Sequence, residues 1–374
     1  MSDALVISGL GLTSAYGIGR RAFWHGLVRG ERGLGPLTDA GRPEAVGGQV
    51  ALPPGDGRRR TRLLTAALDE ALGNGPPPAR TLLVLVGQAP RVPTAYDEDQ
   101  DDDEDALELT ASWPPPGRTA VEFDEVVFLS QACASVLFGL GYARDWVLGG
   151  LGDAAVVAGA FTLNRYEYLG MSVVGALSPG GARPFDSGRD GTSLGEGSAA
   201  VLVEREPEVR ARGGRPLARV AGLDCRVGGN SRTASDAAVV SRCMSTALHE
   251  AGLDRVDYVH AHATGTPQGD LAETTAIDGL GACLGWHGVP VGSHKGAIGH
   301  LMQVSAGAGI AAGIGTLGTG IAPGTPGLTT PVETTDAIRI IRAAEPVPRP
   351  GAVLINSFGF AGNNAAAVLT AAHQ

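Results

Sequence analysis

The sequence predicts an α/β protein made of two similar strand-and-helix halves, and three observations carry that prediction. Short apolar, β-branched runs recur along the chain, stretches with helical spacing alternate with them, and polar glycine-rich segments follow several of the apolar runs. In the first half the strand candidates are ALVISGLGL, TLLVLVGQ, EVVFLS, AAVVAGA and SAAVLVE. In the second they are LARVAGLD, YVHAHATG, PVGSH, AVLINSFG and AAAVLTAA. Helix-like stretches such as TRLLTAALDEALG, CMSTALHEAGL and AETTAIDGLGACLG lie between them. REPEVRARGGRP reads as the linker, dividing the chain into residues 1–207 and 208–374. Neither half carries GxGxxG after a strand or GxxxxGK[ST], so no nucleotide cofactor is expected.

Composition narrows the function classes. A 374-residue chain, 43% hydrophobic and 18% charged, is long enough to bury a large core. A formal net charge of −10 argues against nucleic-acid binding, which relies on phosphate neutralisation by Lys and Arg. The only cysteines are Cys133, Cys225, Cys243 and Cys283, without a CxxC pair, which fits free thiols in a reducing cytoplasm. MSDALVISGLG has neither the charged start nor the long apolar core of a secretory signal, and no apolar run reaches the roughly 20 residues of a membrane span. Eight acidic side chains crowd positions 97–105, and their repulsion predicts a surface loop.

The chemistry concentrates in four segments. In FLSQACASVLFGLGYARDWVLGG, residues 128–150, an apolar run gives way to helical spacing at Cys133. A cysteine is most often a small buried residue, but at a helix N-terminus the unpaired N–H groups and the dipole favour the thiolate and lower its pKa below about 8.5. Cys133 is therefore a candidate nucleophile. The other segments are VHAHATGTPQGDLAE, VGSHKGAIGHLMQVSAGAG and NSFGFAGNN, each following an apolar run, where α/β proteins place their sites. They contribute His262 and His300 as acid, base or hydrogen-bond donors and Lys295 as a positive charge.

Taken in order, SGLGLTSAYG, QACAS, RPFDSGRDGTSLGEGSAAVLVE, HATGTPQGD, SHKGAIGH and NSFGFAGNN resemble the motifs of the β-ketoacyl synthases, the condensing enzymes of fatty acid and type II polyketide synthesis. The resemblance implies a thiolase-like fold, two βα halves forming a five-layered αβαβα core. By the same resemblance Cys133 is the acyl-accepting nucleophile, and His262 and His300 handle malonyl decarboxylation with Lys295 between them. Asp270 and Glu273 stand near that lysine, with Thr264 and Thr266 in support. Phe360 gates the site, and its N–H joins that of Cys133 as the oxyanion hole. The implied reaction is decarboxylative Claisen condensation of a Cys-bound acyl group with malonyl-acyl carrier protein, without cofactor or metal. The implied partners are that carrier and either a second copy or a chain-length-factor-like subunit. Two alternatives remain: a non-condensing partner subunit, and an acyltransferase that omits decarboxylation. His260, Ala263, Ala361 and Asn363 depart from the usual motifs, which bears on acyl specificity.

Overall fold

The computed structural model describes residues 4–37, 42–53, 58–73, 78–88, 123–228 and 235–372, so the acidic stretch 97–105 lies outside the described residues. The strands of the main sheet are β1 (Leu5–Ser14), β2 (Thr81–Val86), β3 (Glu125–Leu129), β4 (Ala154–Phe161), β5 (Gly197–Arg205), β6 (Ala218–Val227), β7 (Tyr258–His260), β8 (Val289–Gly292), β9 (Ile338–Ile340), β10 (Ala352–Gly359) and β11 (Asn363–Thr370). The helices that matter are α1 (Arg20–Val28), α2 (Arg59–Leu72), α3 (Ser135–Leu148), α4 (Arg165–Val173), α5 (Ala237–Glu250), α6 (Pro267–Cys283), α7 (Lys295–Ile298) and α8 (Ser305–Thr319). Each strand expected from the sequence forms. The expected linker instead contains a short helix, Glu206–Ala211, whose buried Glu206 accepts hydrogen bonds from Arg210 and Arg219.

The strand order is β9-β8-β7-β10-β11-β6-β1-β5-β4-β2-β3, with Gly17–Ile18 paired to β1. Within it β1-β5-β4-β2-β3 recurs as β6-β11-β10-β7-β8, parallel and antiparallel neighbours falling in the same places. The two sets join where Val6 and Ile7 meet Arg219 and Ala218. Strands β2 and β4 are buried at every position, which explains their unbroken apolar sequences TLLVLV and AAVVAGAF.

Among the described residues three separate apolar cores divide the layers. One lies under α2, which buries Leu63, Leu64, Ala67, Leu68 and Ala71 on one stripe against β1, β4 and β5. A second lies under α5 and α6, against the other face of the second strand set. The largest surrounds α3 and α8 between the two sets. The result is the αβαβα arrangement. Helix α8 was not evident in the sequence, because SAGAGIAAGIGTLGT is rich in glycine. The glycine has a packing reason: a Cβ at Gly307 would stand 2.2 Å from the Ala199 Cβ of β5.

That contact reverses the usual sign of a helix substitution. Gly→Ala in an exposed helix adds up to about 1 kcal/mol of stability. Gly307→Ala should instead lower the melting temperature, since the added methyl forces α8 off β5. An unchanged or higher melting temperature in a calorimetric scan would show that the central layer is looser than described.

Candidate active site

Four loops converge at the C-terminal ends of β3, β7, β8 and β10. Cys133 stands between β3 and α3, after Ala132, which takes a left-handed φ of 47°. The turn is held internally: the Ser135 hydroxyl accepts from the Gln131 N–H at 2.8 Å and donates to the Ala132 carbonyl at 2.6 Å. It is also held by β10, where Ser357 donates to the Cys133 carbonyl at 2.9 Å. Gly359 closes the contact, since a Cβ there would come within 2.9 Å of the Cys133 nitrogen.

His262 follows β7. Its loop is held by two carboxylates from the first turns of α6. Glu273 accepts from the N–H groups of His262 and Ala263 at 2.8 and 2.7 Å, and from the Asn356 side chain at 3.0 Å. Asp270 accepts from Thr264 at 2.9 Å, Gly265 at 3.0 Å and Phe185 at 2.7 Å. Thr264 and Thr266 are joined through their hydroxyls at 3.0 Å. The Lys295 ammonium, at the start of α7, donates to the His262 carbonyl. His300 is braced by the other half of the chain, donating its N–H to Ser193 O at 2.7 Å and accepting from the Gly195 N–H at 3.0 Å.

The rings of His262 and His300 meet edge to face with centroids 5.4 Å apart, and His262 lies 5.5 Å from the Phe358 ring. His300 Nδ1 is buried with no hydrogen-bond partner among the described residues. A cavity of about 360 Å³ is lined by Cys133, His262, His300, Thr264, Thr266 and Phe360. Lys295, Asp270 and Glu273 stand behind its wall rather than in it. Phe360, 38% exposed, sits at the mouth, and the following Ala361 takes φ 59°, a conformation better suited to glycine. Sequence reasoning singled out Phe360, Ala361 and Asn363 in NSFGFAGNN and missed the roles of Asn356, Ser357 and Gly359. It also missed Met171 and Val174 in the cavity wall, whose segment carries no motif, and Thr192, which lies inside the quoted RPFDSGRDGTSLGEGSAAVLVE.

The charge states are set chiefly by burial. Burial pushes both cavity histidines well below 6.5, and the Lys295 charge acts the same way, so both are neutral at pH 7. Burial lowers Lys295 to about 8, opposed by Glu273. Burial raises Asp270 to about 6 and Glu273 to about 7, against the pull of the N–H groups they accept. Cys133 corrects the sequence expectation of a lowered pKa. Burial pushes its thiol up to about 12, with Glu167 adding to the rise, although Lys295 and the residue's own N–H pull the other way. Among the described residues no three His, Cys, Asp or Glu side chains form a metal-binding group.

A cysteine and two neutral imidazoles thus share one cavity at the ends of parallel strands. Residues 85–208 and 217–329 match the N- and C-terminal domain models of the β-ketoacyl synthases, and the chain belongs to that family. It is 34% identical over 266 residues to polyketide synthase ThaG of Burkholderia thailandensis, covering 64% of this chain and 5% of that one. It is 30% identical over 251 residues to 3-oxoacyl-[acyl-carrier-protein] synthase 2 of Vibrio cholerae, covering 64% of this chain and 60% of the relative. The chain thus spans less than two thirds of these relatives. Among solved structures, the ishigamide ketosynthase/chain length factor superposes with a TM-score of 0.83 at 23% identity, covering 100% of both chains. A β-ketoacyl synthase from Burkholderia phymatum superposes at 0.85 with 22% identity, also covering 100% of both.

The raised thiol predicts a pH profile. Below its pKa the thiolate fraction grows tenfold per pH unit, so alkylation of Cys133 by iodoacetamide should accelerate about tenfold per unit from pH 7 to 9. A plateau in that range would show a thiolate stabilised beyond what this environment provides.

Proposed function

We propose that this chain is a ketosynthase that condenses a Cys133-bound acyl group with a malonyl thioester of an acyl carrier protein, with loss of CO2. The carrying observation is that one cavity holds Cys133 together with two neutral imidazoles. The reaction divides in two. First, the Cys133 thiol attacks a carrier thioester, its acyl–enzyme bond forms, and the proton leaves with the carrier thiol. The N–H groups of Cys133 and Phe360 are the donors assigned to the oxyanion. Second, malonyl carrier loses CO2 and the resulting enolate attacks the acyl group. The Cys133 sulfur departs and takes up a proton. His262 and His300 donate to the enolate oxygen, a role that requires N–H groups and not charge. Lys295, Asp270, Glu273, Thr264 and Thr266 act through the backbone and electrostatics of the His262 loop.

The partner reading rests on the sheet edge. Among the described residues strand β3 ends the sheet, with Val126 46% exposed, and no described strand pairs with its outer edge, which would suit a second copy or a related subunit. Solved neighbours include a ketosynthase/chain-length-factor pair and a type II polyketide ketosynthase in complex with its carrier protein. We assign the chain to a type II polyketide or fatty acid system in the cytoplasm, with 207/208 as the boundary between halves. No helix among the described residues is long and apolar enough to cross a membrane. A non-condensing partner role would leave Cys133 without a task.

Acylation should be confined to Cys133. Peptide mapping after incubation with acyl carrier thioesters reads this, and a label on Cys225, Cys243 or Cys283 would defeat the assignment. His300→Ala should still load Cys133, because its side chain takes no part in acyl transfer. CO2 release from malonyl carrier should fall ~10²–10³-fold, the usual loss for one preorganised donor. Intact mass and labelled CO2 from the same variant decide it: condensation at the wild-type rate would favour the acyltransferase alternative.

A further inference from the structure

Behind the cavity lies a second pair of imidazoles that the proposed reaction does not use. His260 ends β7, two residues before His262, and His294 immediately precedes Lys295. His260 Nε2 and His294 Nδ1 are 2.8 Å apart, the ring planes within 3° of parallel. The contacts continue both ways. His260 Nδ1 lies 3.0 Å from the Tyr258 hydroxyl, which donates to Pro323 O at 3.1 Å. His294 Nε2 lies 3.1 Å from the Ser305 hydroxyl, the first residue of α8. Tyr258, His260, His294 and Ser305 are each no more than 1% exposed.

One arrangement of protons satisfies the whole chain. Tyr258 donates to Pro323 O, His260 Nδ1–H to the Tyr258 oxygen, His294 Nδ1–H to His260 Nε2, and the Ser305 hydroxyl to His294 Nε2. Every ring nitrogen then has a partner while both rings stay neutral. Burial pushes His260 down to about 3 and His294 well below 6.5, with the Lys295 charge acting in the same direction.

The placement of these bonds gives them a use. The His294–Ser305 contact closes the two ends of the segment 294–305, which contains both Lys295 and His300. The His260–His294 contact fastens that closed segment to the strand that delivers His262. Other ties exist: Ala261 N–H donates to Gly292 O at 2.9 Å, and Ser293 donates to Ala263 O at 3.0 Å. Both hold only the near end of the segment. The imidazole chain alone among the hydrogen bonds described here links its far end to β7. We propose that His260 and His294 are positioning residues, a neutral clamp that holds His300 against His262 so that both donate to one enolate oxygen. The proposal rests on the ketosynthase reading of His262 and His300.

Its test uses the full chain with His260→Phe, His294→Phe, the double variant, Ser305→Ala and His260→Gln, whose amide oxygen can take the place of Nε2 as acceptor of the His294 Nδ1–H. Loading of Cys133 and CO2 release from malonyl carrier are measured on each. Misplacing one donor should cut decarboxylation about 10–100-fold in either Phe variant while loading stays within about twofold. The double variant should be no worse than the singles, Ser305→Ala should show a smaller loss of the same kind, and His260→Gln should recover most of the rate. Loading that falls in step with decarboxylation, additive losses, or unchanged decarboxylation would overturn the clamp. Lys295 is the only lysine in the 374 residues, so ¹³C-lysine labelling gives a single side-chain probe beside the clamp. If wild type neither loads nor decarboxylates, the functional reading fails, yet the clamp is still judged: its loss must shift that resonance alike in both Phe variants, and an unmoved signal refutes it. Should the Phe variants not fold, Ser305→Ala and His260→Gln carry both measurements.

Discussion

The buried carboxylate of Glu273 organises the site. A carboxylate in an apolar interior is tolerated only when its oxygens are satisfied, and here the satisfying groups come from two loops. The N–H groups of His262 and Ala263 belong to one, and the Asn356 amide to the strand that runs on to Ser357, Phe358 and Gly359. Those last residues press on the Cys133 turn. A single side chain on α6 therefore sets where His262 sits and, through β10, where Cys133 sits. Lys295, on a third loop, contributes the opposing charge and its own bond to the His262 carbonyl.

That concentration of charge behind the cavity leaves neutral groups in front. Both cavity imidazoles and the thiol face the lining uncharged, because burial disfavours their ions and Lys295 adds repulsion for the histidines. For the proposed condensation this is the useful polarity. A neutral imidazole offers an N–H to a developing enolate without first binding the malonyl carboxylate as an ion pair, which would favour the ground state over the transition state.

The sequence was informative where chemistry and periodicity coincide. Strands such as TLLVLV were legible because both faces are buried, and the cavity residues Cys133, His262 and His300 because their loops follow apolar runs. Helix α8 was hidden because its glycines, needed for contact with β5 and β10, suppress the apolar signal of a helix. Strand β9 is three residues long, too short to show a period. The direction of the Cys133 shift was misread for a different reason. A helix terminus is a local feature visible in sequence, whereas desolvation comes from segments far along the chain, Ser357 to Gly359 among them.

The recurrent strand order has a consequence for how such a site is divided. In the pairing of β1-β5-β4-β2-β3 with β6-β11-β10-β7-β8, strand β3 corresponds to β8. The turn after β3 holds Cys133 and leads into α3. The turn after β8 holds Lys295 and His300 and leads into α8, its counterpart in the central layer. Equivalent positions of the repeated topology thus carry different groups, a cysteine after β3 and a lysine and a histidine after β8, and the proposed condensation uses both sets. A single unit, or two identical ones, would hold only half of the tools, so the chemistry belongs to the inequality between the halves.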